Sequence, residues 1–99
     1  MIARYWRGWT DRKSAHVYEE LLMSKIMPEI HEIVGNLGSK VMKRELGEEI
    51  EFATLTFWVS FDAIKEFAGE EISKSRIPED AAALMSRWDI EAIHYETLE

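Results

Sequence analysis

The chain opens on an alternation of two. Over residues 2–9 one set is Ile2, Arg4 and Trp6, and the other is Ala3, Tyr5, Arg7 and Trp9. Both sets carry aromatics, whereas a strand with one wet face would keep one set polar. The pattern predicts a strand covered on both sides, its arginine stems lying along apolar surface. The period then lengthens. Ala15, Tyr18, Leu22, Ile26, Ile30 and Ile33 recur at steps of three and four, and Leu21, Met23 and Met27 widen the stripe. That spacing predicts an amphipathic helix over about 12–34. Thr10 or Asp11 can cap it by accepting a free N–H of the first turn. Pro28 removes one helix hydrogen bond and crowds the carbonyl of residue 24, which predicts a kink or restart. Gly35 ends the helix, with Asn36 and Gly38 in the turn.

Residues 39–45 read as a second strand, and Glu45-Leu46-Gly47-Glu48-Glu49 as a hairpin turn with a glycine available for positive φ. The third strand, 50–59, alternates Ala53, Leu55, Phe57, Val59 with Phe52, Thr54, Thr56, Trp58. Both sets are apolar or β-branched, the mark of a central strand. Ser60 caps a helix over 61–68, with Asp62 at its positive end and Gly69 after it. An irregular stretch covers 70–78. Pro78 opens a helix running to about Arg87, and a last strand spans 90–98. The order, strand-helix-strand-strand-helix-strand, predicts an α+β, ferredoxin-like β-α-β-β-α-β fold: a four-stranded antiparallel sheet with helices on one face. Strands one and three are apolar on both faces, so the uncovered face wants a partner. A second copy of the sheet about a two-fold axis is the economical one.

Composition changes this picture little. Ninety-nine residues make one domain, 1–99, with a modest core. Four Trp and four Phe are many large side chains for it, so some are expected at a pocket or interface. Twelve basic against nineteen acidic side chains give a net charge of −7, which argues against nucleic acid and anionic membranes as partners. Without cysteine there is no thiolate catalysis, disulfide or zinc–thiolate site. No run approaches the roughly 20 apolar residues of a membrane span. The charged start, Met1-Ile2-Ala3-Arg4-Tyr5-Trp6-Arg7, does not read as a signal peptide, and a cytoplasmic protein is expected.

Several runs, taken as a set, carry a family likeness. They are Arg4-Tyr5-Trp6-Arg7-Gly8-Trp9-Thr10, Lys43-Arg44-Glu45-Leu46-Gly47, Phe52-Ala53-Thr54-Leu55-Thr56-Phe57-Trp58, Phe67-Ala68-Gly69-Glu70 and His94-Tyr95-Glu96. Together they resemble the antibiotic biosynthesis monooxygenase-like domains of the dimeric α/β-barrel superfamily. The resemblance implies a homodimer whose two sheets form a barrel, and a cleft in each subunit between sheet and helices. The activities it implies include cofactor-free oxygenation of a small aromatic or polyketide-like substrate and haem degradation, and many small members of this type have no established activity. Trp58 matches the tryptophan that precedes a strand-ending serine in both branches. The haem-degrading branch adds an asparagine on strand one, where this chain has Trp6, and a histidine after the second helix, absent from residues 70–80. Haem degradation is therefore disfavoured. The oxygenase branch places an asparagine where this chain has Thr54.

The candidate chemistry follows. Trp6 and Trp58 can sandwich a flat apolar substrate, with Tyr5 and Thr54 beside it, or pack as plain core. Arg4 or Arg7 can hold an oxyanion, or snorkel and pair with a carboxylate. His94 is the acid–base candidate, with Tyr18 and Arg7 as further catalytic groups, although a hydrogen-bonded structural histidine on a strand is the more ordinary case. His16 with Glu19 and Glu20 has helical metal spacing but too few nitrogen ligands, and His31 near a helix end suits a cation there. No metal and no cofactor are expected. The readings are a cofactor-independent monooxygenase, a non-catalytic dimeric binder of small hydrophobic molecules, and a structural assembly protein.

Overall fold

A computed structural model describes residues 1–99. Strand β1 (Ile2–Asp11) runs antiparallel to β3 (Glu49–Trp58) over its whole length, from Ile2 opposite Trp58 to Asp11 opposite Glu49. The hairpin partner β2 (Asn36–Leu46) lies on the far side of β3, and Gly47, at φ 66°, makes the turn. On the other side of β1 lie two short strands, β4 (Arg87–Trp88) against Gly8 and Trp9, and β5 (Ile93–Glu96) against Ile2–Tyr5. The order β2-β3-β1-β4/β5 is that of the ferredoxin-like fold. Of the last strand expected over 90–98 only β5 forms, and β4 precedes that range, at the expected end of the helix after Pro78. The chain between them leaves β1, because Ala92 donates to the carbonyl of Ser73 and Ser75 to that of Ile90.

Helix α1 (Arg12–Leu21) is capped by Asp11, whose carboxylate accepts from the Ser14 N–H at 2.7 Å. A π-helical turn, Leu22–Ile26, joins it to α2 (Met27–His31). Here the kink expected at Pro28 takes a definite form. Pro28 has no N–H for the carbonyl four residues back. The ladder widens one residue earlier, Met27 bonding to the Leu22 carbonyl, and Pro28 then sits harmlessly in the first turn of α2. The extra residue also rephases the stripe. The buried side chains are Tyr18, Leu22, Met27 and Ile30, with a five-residue step across the turn. Helix α3 (Phe61–Ala68) is capped by Ser60 as expected, and buries Ile64. After Pro78 only one turn forms, α4 (Glu79–Ala82), shorter than expected because the Ser86 N–H goes to the Trp9 carbonyl and draws the chain into the sheet.

All helices lie on one face. The even residues of β1 point at them with Phe52, Thr54, Thr56 and Trp58, and the core is Tyr18, Leu22, Met27, Ile30, Phe52 and Trp58 with Ile64 and Ala81. The odd residues, Ala3, Tyr5, Arg7 and Trp9, share the other face with Ala53, Leu55 and Phe57. No helix covers it, and Met42, Ile93 and Tyr95 are exposed there.

Candidate functional site

A cavity of about 50 Å³ lies between the π-helical turn and the sheet. Leu22, Ile26 and Met27 form its helix wall, and Trp6, Thr54 and Thr56 its floor. Phe67 and the segment Arg76-Ile77-Pro78 close the side. Beyond that segment is an open groove of about 600 Å³, which shares Ile26, Ile30, Phe67, Arg76, Ile77 and Pro78 with the cavity. An apolar cavity of roughly 150 Å³ holds a benzene. The cavity therefore takes a head group, and a ring system needs the groove as well.

Two side chains of β1 hold this wall in place. Arg4, 4% exposed, donates through Nη1 to the Ile72 carbonyl and to Nε2 of His94 (3.0 Å), and through Nη2 to the Lys74 carbonyl (3.0 Å). Its guanidinium lies 5.5 Å from the centre of the Phe67 ring. No carboxylate pairs with it, and burial pulls its pKa down to about 10, so it remains a cation at neutral pH. Trp6 donates its indole N–H to Ser75 Oγ and the Asp89 carbonyl, both at 2.8 Å. The chain that leads into Arg76–Pro78 is thus fastened to the sheet by two side chains about seventy positions away in sequence.

The residues singled out by sequence divide. Trp6, Thr54 and Tyr18 come together around the cavity. Burial raises the Tyr18 phenol to about 12, which makes it a proton or hydrogen-bond donor at neutral pH and not a base. Trp58 does not line the cavity. It is wholly buried, donates to Thr56 Oγ1 at 2.8 Å and stacks on Phe67 at 6.2 Å. The N–H groups of both tryptophans are therefore engaged by the protein. His94 stands behind Arg4 and outside the lining. Arginine can only donate, so His94 Nε2 accepts and the imidazole is neutral with its proton on Nδ1. Burial, and then the Arg4 charge, hold its pKa below the usual histidine value. Tyr5 and Arg7 are on the open face, Arg7 in an ion pair with Asp89 at 2.9 Å. Arg76 was not singled out. An exposed arginine in an irregular stretch carries no local signal, and only the fold brings it to the cavity.

Arg87 and Arg7 flank the Trp9 ring at 3.9 and 5.1 Å on the open face. Arg87 is tied to Glu49 and Arg44 to Glu51, each through two or more hydrogen bonds. This patch explains how Trp9 is buried on a face without helices.

No helix is long and apolar enough to cross a membrane. No family model and no curated protein matches the chain. Solved structures do. Rv0793 from Mycobacterium tuberculosis superposes with a TM-score of 0.66 at 14% identity, over 99% of this chain and 95% of that one. The haem-degrader MhuD (Rv3592) of the same organism, with two haems bound in its active site, gives 0.62 at 16%, over 100% and 97%. A monooxygenase from the gene ActVA-Orf6 of Streptomyces coelicolor, in complex with nanaomycin D, gives 0.65 at 15%, over 99% and 88%. At such identities the likeness carries the fold alone, and this chain has the α+β, ferredoxin-like fold of these three proteins.

Proposed function

We propose that the chain binds a small, flat, mostly apolar molecule in the cavity and groove and oxygenates it without a cofactor. The observation that carries this reading is a mostly apolar cavity floored by Trp6 and Thr54 and lined by the buried Arg4. Similar folds hold haem and nanaomycin D, which supports a flat ligand. An electron-rich carbanion can react with oxygen directly: R₂CH⁻ and O₂ combine to R₂CH–OO⁻, which collapses to R₂C=O and HO⁻. The protein then has to orient the ring, stabilise the anion and keep water out. Arg4 would face the substrate oxygen, Tyr18 would donate a hydrogen bond, and Leu22, Ile26 and Met27 would exclude solvent. The test is oxygen uptake with an anthrone, one O₂ consumed per anthraquinone formed. No uptake above the uncatalysed rate rejects the oxygenase.

A second reading has its own support. No base lines the cavity, and three of the five N–H donors of Arg4 are already engaged. A non-catalytic binder would show ligand titration without oxygen uptake. We further propose that two copies pack through the open face, where Met42, Ile93 and Tyr95 are exposed. Light scattering after size exclusion that finds a monomer at micromolar concentration rejects this.

A further inference from the structure

We infer that the ligand enters this site as a ready-made monoanion, and that Arg4 and Arg76 select it; the inference rests on the small-molecule reading above. Eight of the twelve lysines and arginines are ion-paired. The four left are Arg4, Lys13, Lys40 and Arg76. Lys13 is exposed on α1 and Lys40 on the open face, opposite Leu55. The other two line one cavity. In a chain of net charge −7, carboxylates are not scarce, yet none lines it.

Arg4 makes the stronger case. A buried cation without a counter-charge is unfavourable, and neutral carbonyls offset only part of that cost. Its partners are the Ile72 and Lys74 carbonyls and a neutral imidazole. An anionic ligand atom supplies the missing charge, and charge-assisted bonds are the strong ones. Arg76 lines both the cavity and the groove, at their shared boundary.

The rest of the lining settles when the proton leaves. The ionisable side chains there are Arg4, Tyr18 and Arg76. Two are cations, and the third is a phenol that keeps its proton at neutral pH. His94 gives its accepting nitrogen to Arg4. Nothing in the cavity can take a proton from the group that meets Arg4, so that group is ionised before it reaches the cavity. The groove adds a restriction, since Glu29 and Glu66 line its outer part. They repel a second negative charge on the ligand body. The class that fits has one ionised end and a flat apolar remainder: an acidic phenol, the enolate of a 1,3-dicarbonyl, or an aromatic carboxylate.

Isothermal titration with 2-naphthoate and its neutral isostere 2-naphthamide tests this on the intact chain. At pH 7 the carboxylate is expected to bind about tenfold tighter or better, as a charge-assisted bond to a buried cation implies. Arg76 makes no bond that holds the fold, so Arg76→Gln is expected to fold normally. It should weaken naphthoate several-fold, leave naphthamide unchanged, and Arg76→Lys should restore most of the loss. Equal affinity for the two probes overturns the inference and leaves the site standing. Binding of neither overturns the site reading itself. A naphthoate preference that survives Arg76→Gln intact removes Arg76 from the proposal. A nitronaphthol, whose phenolate has its own absorption band, gives a further readout: it should bind as phenolate, and uptake of the neutral phenol overturns the pre-ionised form.

Discussion

Trp58→Phe separates core from site most sharply. Trp58 ends β3, is 0% exposed, donates its indole N–H to Thr56 Oγ1 at 2.8 Å and stacks on Phe67 with ring planes 22° apart. Phenylalanine keeps a ring against Phe67 and removes the rest of the indole. The lost burial is worth two to three methylenes at about 0.8 kcal/mol each, part of it regained as neighbours relax into the gap. Losing the indole donor adds about 0.5–1.5 kcal/mol, the smaller value if the Thr56 hydroxyl finds another partner. The total is about 2–3 kcal/mol. For a domain of this size that lowers the melting temperature by roughly 10–20 °C. Urea unfolding followed by far-UV circular dichroism should show the loss at unchanged m-value. Naphthoate affinity, measured well below the transition, should stay within about twofold of the parent, a difference of under half a kcal/mol. The reasoning is refuted by the opposite pattern, an unchanged urea midpoint with tenfold weaker naphthoate, which would put Trp58 against the ligand.

Two further outcomes follow from the same geometry. Gly35 has φ +97°, and a Cβ there would stand 2.5 Å from the Ala63 Cβ of α3, whereas Gly47, also at positive φ, has open space around it. Gly35→Ala should therefore cost about 2–4 kcal/mol, strain plus overpacking, and Gly47→Ala only the strain of about 1–2; equal losses in urea melts would refute the contact. The His94 pKa lies below its unfolded value of 6.5, so its contribution to stability is complete above pH 6.5 and is lost as pH falls through that value toward the folded pKa. Between pH 7.5 and 5.5 the parent should lose stability, and His94→Gln, which keeps an acceptor for Arg4, should be flatter; parallel pH dependences would show that His94 is not the group responsible.

Much of the fold was legible because its signals are local. The Ser60 cap, the Gly47 hairpin, the helical stripe from Tyr18 to Ile30 and the two-faced alternation of β1 and β3 all lie within short windows. What escaped depends on partners far along the chain. Residues 90–98 alternate well enough for one strand, but the Ile90 carbonyl and the Ala92 N–H bond to Ser75 and Ser73, and β1 pairs with only 93–96 of that stretch. Pro28 announced an irregularity, yet nothing near it says that a π turn will absorb the defect and turn Leu22, Ile26 and Met27 toward a cavity. Arg76 is the extreme case, invisible without the fold.

The site itself turns on the parity of β1. Its two residue sets are so alike in aromatics and arginines that hydrophobic pattern alone cannot say which faces the helices. The decision is made by what each face must hold. Gly8, on the helix side, leaves room for Met85 and the Trp6 ring, since a Cβ there would stand 2.6 Å from the Met85 Sδ. The even set can therefore lie under the 72–85 segment, and Arg4 and Trp6 find carbonyls to bind there. The odd set has carboxylates within reach instead, so Arg7 is neutralised by Asp89 while Arg4 is not. A slip of one residue would exchange the two arginines and close the site. Two arginines three positions apart thus differ in their partners, Arg7 meeting the Asp89 carboxylate and Arg4 two carbonyls and an imidazole.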